Sequence, residues 1–443
     1  MDIIIIMENR HIKLRRTLKT MELFALGYSD VSSTYYFSMG VIALYSGSSL
    51  PVVMLLGSIP LWVAGLTYAE LGSAIPEAGG AYYYVRHELG RVPGFIAGWL
   101  LDFDQILMVS YGAVGFTGYL SVLIEGLRIW PVNVVLSLIM IWALAIINII
   151  GIKPSARFNL VLVAIDLVGI ITLMAFGVYA IIHQPHHVGF SISFTIPAIG
   201  LAYALRGYTG IDVIAQSAGE ALLPGHSVPR SIIAVCTLST VVALALSTIT
   251  SYSGLTQYIA RNLSDPLGAL AVGLLGHGLL SMYISSSIAL VMLLSINAGI
   301  VDYSRSIYSM SNDSLMPKQL AVIHPRFRTP YLSIIAASFI ASLFVLSNDV
   351  ELIVGSYGIA SMITYSLAIL ALIKFKSSNK PSGFQTPTTR IGNLKIPALA
   401  LIGLPIFTAA IILELIYKPQ YALPVTIWLI TGFILLSLIR NTK

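Results

Sequence analysis

Four ionisable side chains fall where ionisable side chains are rare. Asp30, Asp104, Asp166 and Arg206 each sit inside a long apolar stretch of this 443-residue chain. A charge at the centre of a bilayer costs about 2.5–3.5 kcal/mol on insertion scales, so a sequence that keeps one there has a partner or a ligand for it. A carboxylate at that depth can accept an ammonium group, hold a cation or carry a proton; a guanidinium can balance a carboxylate or hold an anion. Arg206 is expected to neutralise Asp30 or Asp104 when no ligand is bound, the plainer alternative being a fixed structural salt bridge. Asp166 has no cation near it in sequence. It suits a proton carrier, or a hydrogen bond to a neighbouring helix. Asp102 and Asp104 are two apart and cannot share a helix face.

Asp30 lies in a run of unusual polarity, with Gly27, Ser29, Ser32, Ser33 and Thr34 around it. Small hydroxylated residues can re-satisfy backbone groups freed at a helix break, so a break is expected here. The segment Gly27-Tyr-Ser-Asp-Val31 is echoed half a chain later by Gly207-Tyr-Thr-Gly-Ile-Asp-Val213. Two polar, Gly-interrupted spans in corresponding positions of two halves point to a binding site at the membrane midplane. The alternative is a pair of polar helices packed on small residues.

The elements that must position these residues follow from composition. The chain is 57% hydrophobic and 10% charged, with a mean hydropathy of +0.87. Soluble proteins carry about 25% charge, so this is an integral membrane protein. The net charge of +6 does not mean nucleic acid, because the basic residues fall in loops between apolar spans. The single Cys236 excludes a disulfide within one chain. Ile3 to Ile6 is too short to span or to be a signal-peptide core, and either Met1 or Met7 could be the start.

Runs of about 20 apolar residues predict twelve helices, at 21–45, 50–72, 93–124, 129–150, 155–182, 194–219, 228–256, 274–310, 331–347, 352–374, 396–417 and 421–439. Asp104 and Asp166 then lie about 16 Å from their helix starts, near mid-membrane. With the N-terminus inside, Arg128, Arg261 and Lys418 are the only basic residues of the outer segments; all others except Arg206 are cytoplasmic. That bias puts both termini in the cytoplasm of a multi-pass cell-membrane protein. The chain divides into a tail (1–20), a core of helices 1–10 (21–374), a polar and mobile cytoplasmic linker (375–395), and helices 11–12 with the C-terminal tail (396–443). Pro76, Gly79 and Gly80 break the loop after helix 2, leaving a short helix over 81–89. Glu70 and Glu220 read as gate or salt-bridge residues, and Tyr82, Tyr83 and Tyr84 as packing or interface anchors. The loop histidines His183, His186 and His187 read as solvated rather than metal-binding.

Several motifs together resemble a known family. Tyr68-Ala-Glu-Leu-Gly72 with Pro76-Glu-Ala-Gly-Gly-Ala-Tyr82 is similar to its loop after helix 2, and Gly94-Phe-Ile-Ala-Gly-Trp99 to its helix 3 start. Ala218-Gly-Glu220 with Pro224 and Pro229-Arg230 resembles its helix 6 end. Ser304-Arg305 through Asp313-Ser-Leu-Met-Pro317 resembles its helix 8 end. The family is the amino acid–polyamine–organocation (APC) transporters. The resemblance implies an all-α LeuT-type fold: two inverted five-helix repeats, helices 1 and 6 broken, and two trailing helices. Ser33-Thr34-Tyr35 stands where the family has Gly-Ser-Gly, whose amides hold a substrate carboxylate.

The expected substrate site is Asp30, Ser33, Thr34, Tyr35, Asp104, Arg206, Tyr208, Thr209 and Gly210; the resemblance puts Asp30 just before the helix 1 triad and Arg206 where the family commonly has a side chain facing the substrate. It puts Asp166 where proton-coupled members have a Lys and Ser295 near the matching sodium position, so these two are expected to be close in space. The implied activity is secondary transport of amino acids or related amines by alternating access. A proton or sodium gradient would drive it, with no cofactor and no metal; the partners are a small molecule and the lipid bilayer. The runner-up is a potassium or other monovalent-cation permease on the same fold, which the Tyr-x-Asp-Val pattern of helix 1 also resembles. An enzyme is the third reading; the chain has neither a Gly-x-Gly-Asp nor a His-Glu-x-x-His motif.

Overall fold

The computed structural model describes residues 16–77, 79–151, 156–183, 197–392 and 394–441. In chain order the helices are α1 (Thr20–Ser46), α2 (Leu50–Ala74), α3 (Gly80–Leu89), α4 (Arg91–Leu120), α5 (Val132–Ile150), α6 (Ala156–His183), α7 (Ala198–Leu205) and α8 (Asp212–Gln216). They continue as α9 (Pro224–Tyr252), α10 (Thr256–Ala260), α11 (Pro266–Leu275), α12 (Leu279–Asn312), α13 (Tyr331–Leu346) and α14 (Val350–Ser377). A hairpin, β1 (Thr388–Ile391) and β2 (Leu394–Pro397), leads to α15 (Ala398–Tyr417) and α16 (Ala422–Asn441). The twelve expected spans are recovered within a few residues, the sixth as the broken pair α7 and α8. Among the described residues nine segments are long and apolar enough to cross a membrane, with Thr20–Ala74 counted as one although it folds as two helices.

The bundle is organised around α4, which packs along α12 and α14. Small residues let helix backbones approach closely where apolar lipid supplies no driving force for association. A Cβ on Gly299 of α12 would stand 2.6 Å from the Gln105 carbonyl of α4, so only glycine permits this contact. The outer faces of α5, α6, α15 and α16 present Ile146, Ile171, Ile412 and Ile427 outward, as a lipid-facing surface requires.

Two expectations are corrected. Helix 6 is broken, but helix 1 is not: α1 runs without interruption through Asp30 and Ser33. Its hydroxyls bond back to carbonyls one turn earlier, Ser29 to Leu26 at 3.0 Å, Ser33 to Asp30 at 2.7 Å and Thr34 to Asp30 at 3.2 Å. Polarity that looked like a break is therefore absorbed within the helix. The linker after α14 is likewise not a free loop. Thr386 donates to the Glu70 carboxylate from its amide (2.9 Å) and hydroxyl (2.6 Å), and Lys376 Nζ lies 2.8 Å from the same side chain. Phe384 N donates to Ser73 Oγ at 3.1 Å, and Lys380 pairs with Glu88 at 2.7 Å. Polar composition marked the segment as solvated, yet its groups find partners on α2 and α3.

Candidate functional site

The break between α7 and α8 positions the site. Gly207, Tyr208, Thr209 and Gly210 leave the helix, and Gly210 has φ +109°, which L side chains rarely adopt. A Cβ there would also lie 2.8 Å from Asp30 Cγ. Glycine thus does two things at once: it turns the chain and lets Asp30 of α1 rest against the buried backbone of the break. Asp30 is 2% exposed, and neither carboxylate oxygen has a hydrogen-bond partner among the described residues. A buried charge without a partner is costly, which makes Asp30 a candidate position for a bound proton or cation.

Other acids surround it. Asp104, Asp212 and Asp302 lie within electrostatic reach of Asp30. Asp104 accepts a hydrogen bond from Ser361 at 2.7 Å, and Asp212 accepts one from Tyr365 at 3.3 Å. Asp212 and Asp302 were not singled out by sequence reasoning. The signal for Asp212 was present, since it is the acid of the helix 6 echo, Gly-Ile-Asp-Val213. Asp302 lies two residues before the Ser304-Arg305 motif and has no counterpart in the helix 1 and helix 6 echo.

Hydroxyls and rings complete the walls. Tyr111 meets Ser33 at 3.0 Å and Thr34 at 3.2 Å, joining α4 to α1 one turn from Asp30. The Tyr35 ring lies 5.6 Å from the Tyr208 ring, and Tyr208 donates to the Met54 carbonyl at 3.0 Å. The Tyr35 hydroxyl and Thr209 Oγ1 are buried donors with no partner among the described residues. Because α1 is continuous, the amides of Ser33, Thr34 and Tyr35 are spent inside the helix and are not free for a carboxylate.

Arg206 does not neutralise Asp30 or Asp104. It pairs with Glu414 of α15, donates to the Gly355 carbonyl at 2.7 Å, and stacks over the Tyr203 ring at 4.1 Å. The glycine at 358 leaves its side chain room to pass across α14. The fixed salt bridge is the arrangement adopted, and its partner lies 208 residues away in sequence. Asp166 accepts from the Tyr36 hydroxyl at 2.9 Å, its second oxygen having no partner among the described residues. Tyr36 also meets Tyr28 at 3.2 Å, so a short hydroxyl chain runs along α1 to the α6 carboxylate. Ser295 donates to Val291 of its own helix at 3.1 Å, and no hydrogen bond links it to Asp166.

Both ends of the bundle are tied by ion pairs. On the side carrying the basic loops, Arg86 pairs with Asp313, which also accepts from Tyr82 at 2.5 Å, and Arg305 approaches Glu220 at 3.4 Å. At the other end Glu351 gathers Tyr45 (2.7 Å), Tyr203 (3.2 Å), Tyr421 (3.2 Å) and Lys418 (3.1 Å). The hydroxyl of Tyr45 and the Glu351 carboxylate hold the Lys418 ammonium above its usual range, despite the opposing effect of burial. Arg128 bonds Asp265 at 2.6 Å; burial outweighs Arg128 and pushes this carboxyl up to about 7. His183 turns its ring to the Tyr179 carbonyl, while His186 and His187 lie outside the described residues.

A membrane helix bundle whose sixth span breaks against an unpaired carboxylate of its first is the architecture of a small-molecule permease. Residues 18–439 match the amino acid permease family, and the chain belongs to that family. It is 26% identical over 425 residues to the branched-chain amino acid permease BcaP of Bacillus subtilis, covering 88% of this chain and 86% of that one. It is 27% identical over 443 residues to the methylthioribose transporter of the same organism, covering 94% and 90%. The serine/threonine exchanger SteT of Bacillus subtilis is 25% identical, with 84% and 85% covered.

Proposed function

We propose that this protein is a secondary active transporter of amino acids or related amines, working by alternating access in the cell membrane with both termini in the cytoplasm. The observation that carries this reading is Asp30, a buried carboxylate with both oxygens unpartnered among the described residues, held against the backbone of the helix 6 break. An ammonium group is the natural occupant: it supplies donors to both oxygens and balances the charge. The substrate's remaining polar group would meet the buried hydroxyls of Tyr35 and Thr209 in place of helix 1 amides. Ser33 and Thr34 act through Tyr111, and Asp104 adds negative potential from α4. Arg206, already paired, serves as a strut between α7 and α15 rather than as a ligand.

Proton coupling at Asp166 is part of the same proposal. Its carboxylate is tied to α1 through Tyr36, so gaining or losing a proton there changes a contact of the helix that carries Asp30. The family match and the relatives do not favour the potassium alternative. The test is uptake of a labelled amino acid pool into liposomes holding the purified protein, with and without an inward proton gradient. Gradient-dependent uptake supports the reading. Rubidium uptake without amino acid uptake would replace it with the cation carrier.

A further inference from the structure

The hairpin that follows α14 carries a charge arrangement with no purpose inside the fold. Arg390 of β1 and Lys395 of β2 are directly opposed partners in the antiparallel register. Like charges facing across a strand pair repel and destabilise it. Both side chains line a polar crevice of about 520 Å³, together with Lys376 from the end of α14 and Lys380 from the turn after it. Among the described residues Glu70 is the only carboxylate lining this space, and it is already engaged by Lys376 and Thr386. Lys380 leans to Glu88. Lys395 donates to the neutral Asn379, and among the described residues no carboxylate pairs with Lys395 or Arg390. The crevice therefore has four cations around it, two of them opposed without a counter-charge, and Asn379, Ser382, Gln385 and Thr388 as further hydrogen-bonding groups.

Its place in the fold is equally specific. It sits between the end of one membrane span, α14, and the start of the next, α15, on the face where the basic loops gather. In the orientation proposed above, that is the level of the cytoplasmic headgroups, where basic pockets between helices meet phosphate. We propose that this crevice binds a phosphate-bearing anion, with Arg390 and Lys395 clasping it from the two strands and Lys376 and Lys380 behind it. A phosphate between the two strands turns a repelling pair into two charge-assisted contacts. Lipid headgroups and soluble phosphates share this chemistry, and the experiment separates them.

The full chain in neutral detergent would be melted alone, with inorganic pyrophosphate, and with added phosphatidylglycerol, using phosphatidylcholine as the uncharged reference lipid. Three variants would run beside it. Arg390→Gln/Lys395→Gln empties the clasp. Arg326→Gln/Arg328→Gln removes the same charge from the same face outside the crevice. Lys395→Glu converts the repelling pair into an attracting one. The proposal expects a rise in Tm with one or both phosphate probes that is kept in the Arg326/Arg328 variant and lost in the Arg390/Lys395 variant. It also expects Lys395→Glu to melt higher than the wild type without ligand and to gain nothing from phosphate, so a misfolded glutamine variant does not end the test. A rise with phosphatidylglycerol alone assigns a lipid headgroup, and a rise with pyrophosphate assigns a soluble phosphate. No rise with either probe, or an equal loss of the rise in both glutamine variants, overturns the proposal.

Discussion

At the scale of single residues, two charges that look alike in sequence have opposite situations. Arg206 is engaged three ways, by Glu414, by the Gly355 carbonyl and by the Tyr203 ring, with its Nε left without a partner among the described residues. Asp30 has no hydrogen-bond partner among the described residues. A buried pair broken on one side leaves an uncompensated charge and costs about 3–5 kcal/mol, whereas replacing both partners with apolar groups of similar size can be neutral. Glu414→Gln should therefore lower Tm sharply, and Arg206→Met/Glu414→Met should recover most of that loss, as thermal melting in detergent would show. The sequence located Arg206 at membrane depth but could not reveal its partner, because hydropathy says nothing about which two helices touch. At the end of the bundle away from the basic loops, Asp265 gives a pH prediction. Its carboxyl rises from the usual range near 3.8 to about 7 on folding, so the folded state holds its proton more tightly. That contribution to stability is complete below the unfolded pKa and is lost as pH rises towards 7. Asp265→Asn should flatten the fall in Tm between pH 4 and 7, and an unchanged profile would remove Asp265 as its source.

At the scale of elements, the two halves of the polar echo part company. Helix 6 breaks at Gly207 to Gly210 because Gly210 adopts a positive φ with Asp30 pressed against it. Helix 1 stays whole because Ser29, Ser33 and Thr34 find carbonyls within their own turn and Tyr35 stands where a glycine would have let the chain open. The echo was legible as polarity; whether polarity opens a helix depends on backbone freedom, which the residue at the third position decides. Gly210→Ala places a Cβ where only glycine fits and should reduce transport at least tenfold with the protein still folded in detergent, a prediction read by uptake alongside size-exclusion chromatography. Tyr36→Phe removes the donor to Asp166 and the contact with Tyr28. It should shift the external pH at which gradient-driven uptake is half-maximal, while substrate exchange at fixed pH stays near wild type.

At the scale of the whole molecule, much was readable from hydropathy and charge alone. All twelve expected spans correspond to helices, and the short helix 81–89 appears as α3. These features depend on local composition, which a bilayer amplifies by forbidding unsatisfied backbone. What stayed hidden depends on contacts between distant segments: the strap held by Glu70 and Thr386, the knot around Glu351, and the acid Asp302. Each is an ordinary polar residue in sequence and acquires its meaning from the helix that folds against it.

The measurement that reaches the central claim is proton-driven uptake of labelled amino acids by liposomes carrying the wild type, Asp30→Asn or Asp30→Glu. Charge-assisted hydrogen bonds are worth about 1.5–3 kcal/mol, so losing the Asp30 charge should weaken apparent substrate affinity by roughly 10–150-fold. The account predicts that fall in Asp30→Asn, with partial retention in Asp30→Glu and unchanged melting behaviour in both. Wild-type affinity in Asp30→Asn would contradict it.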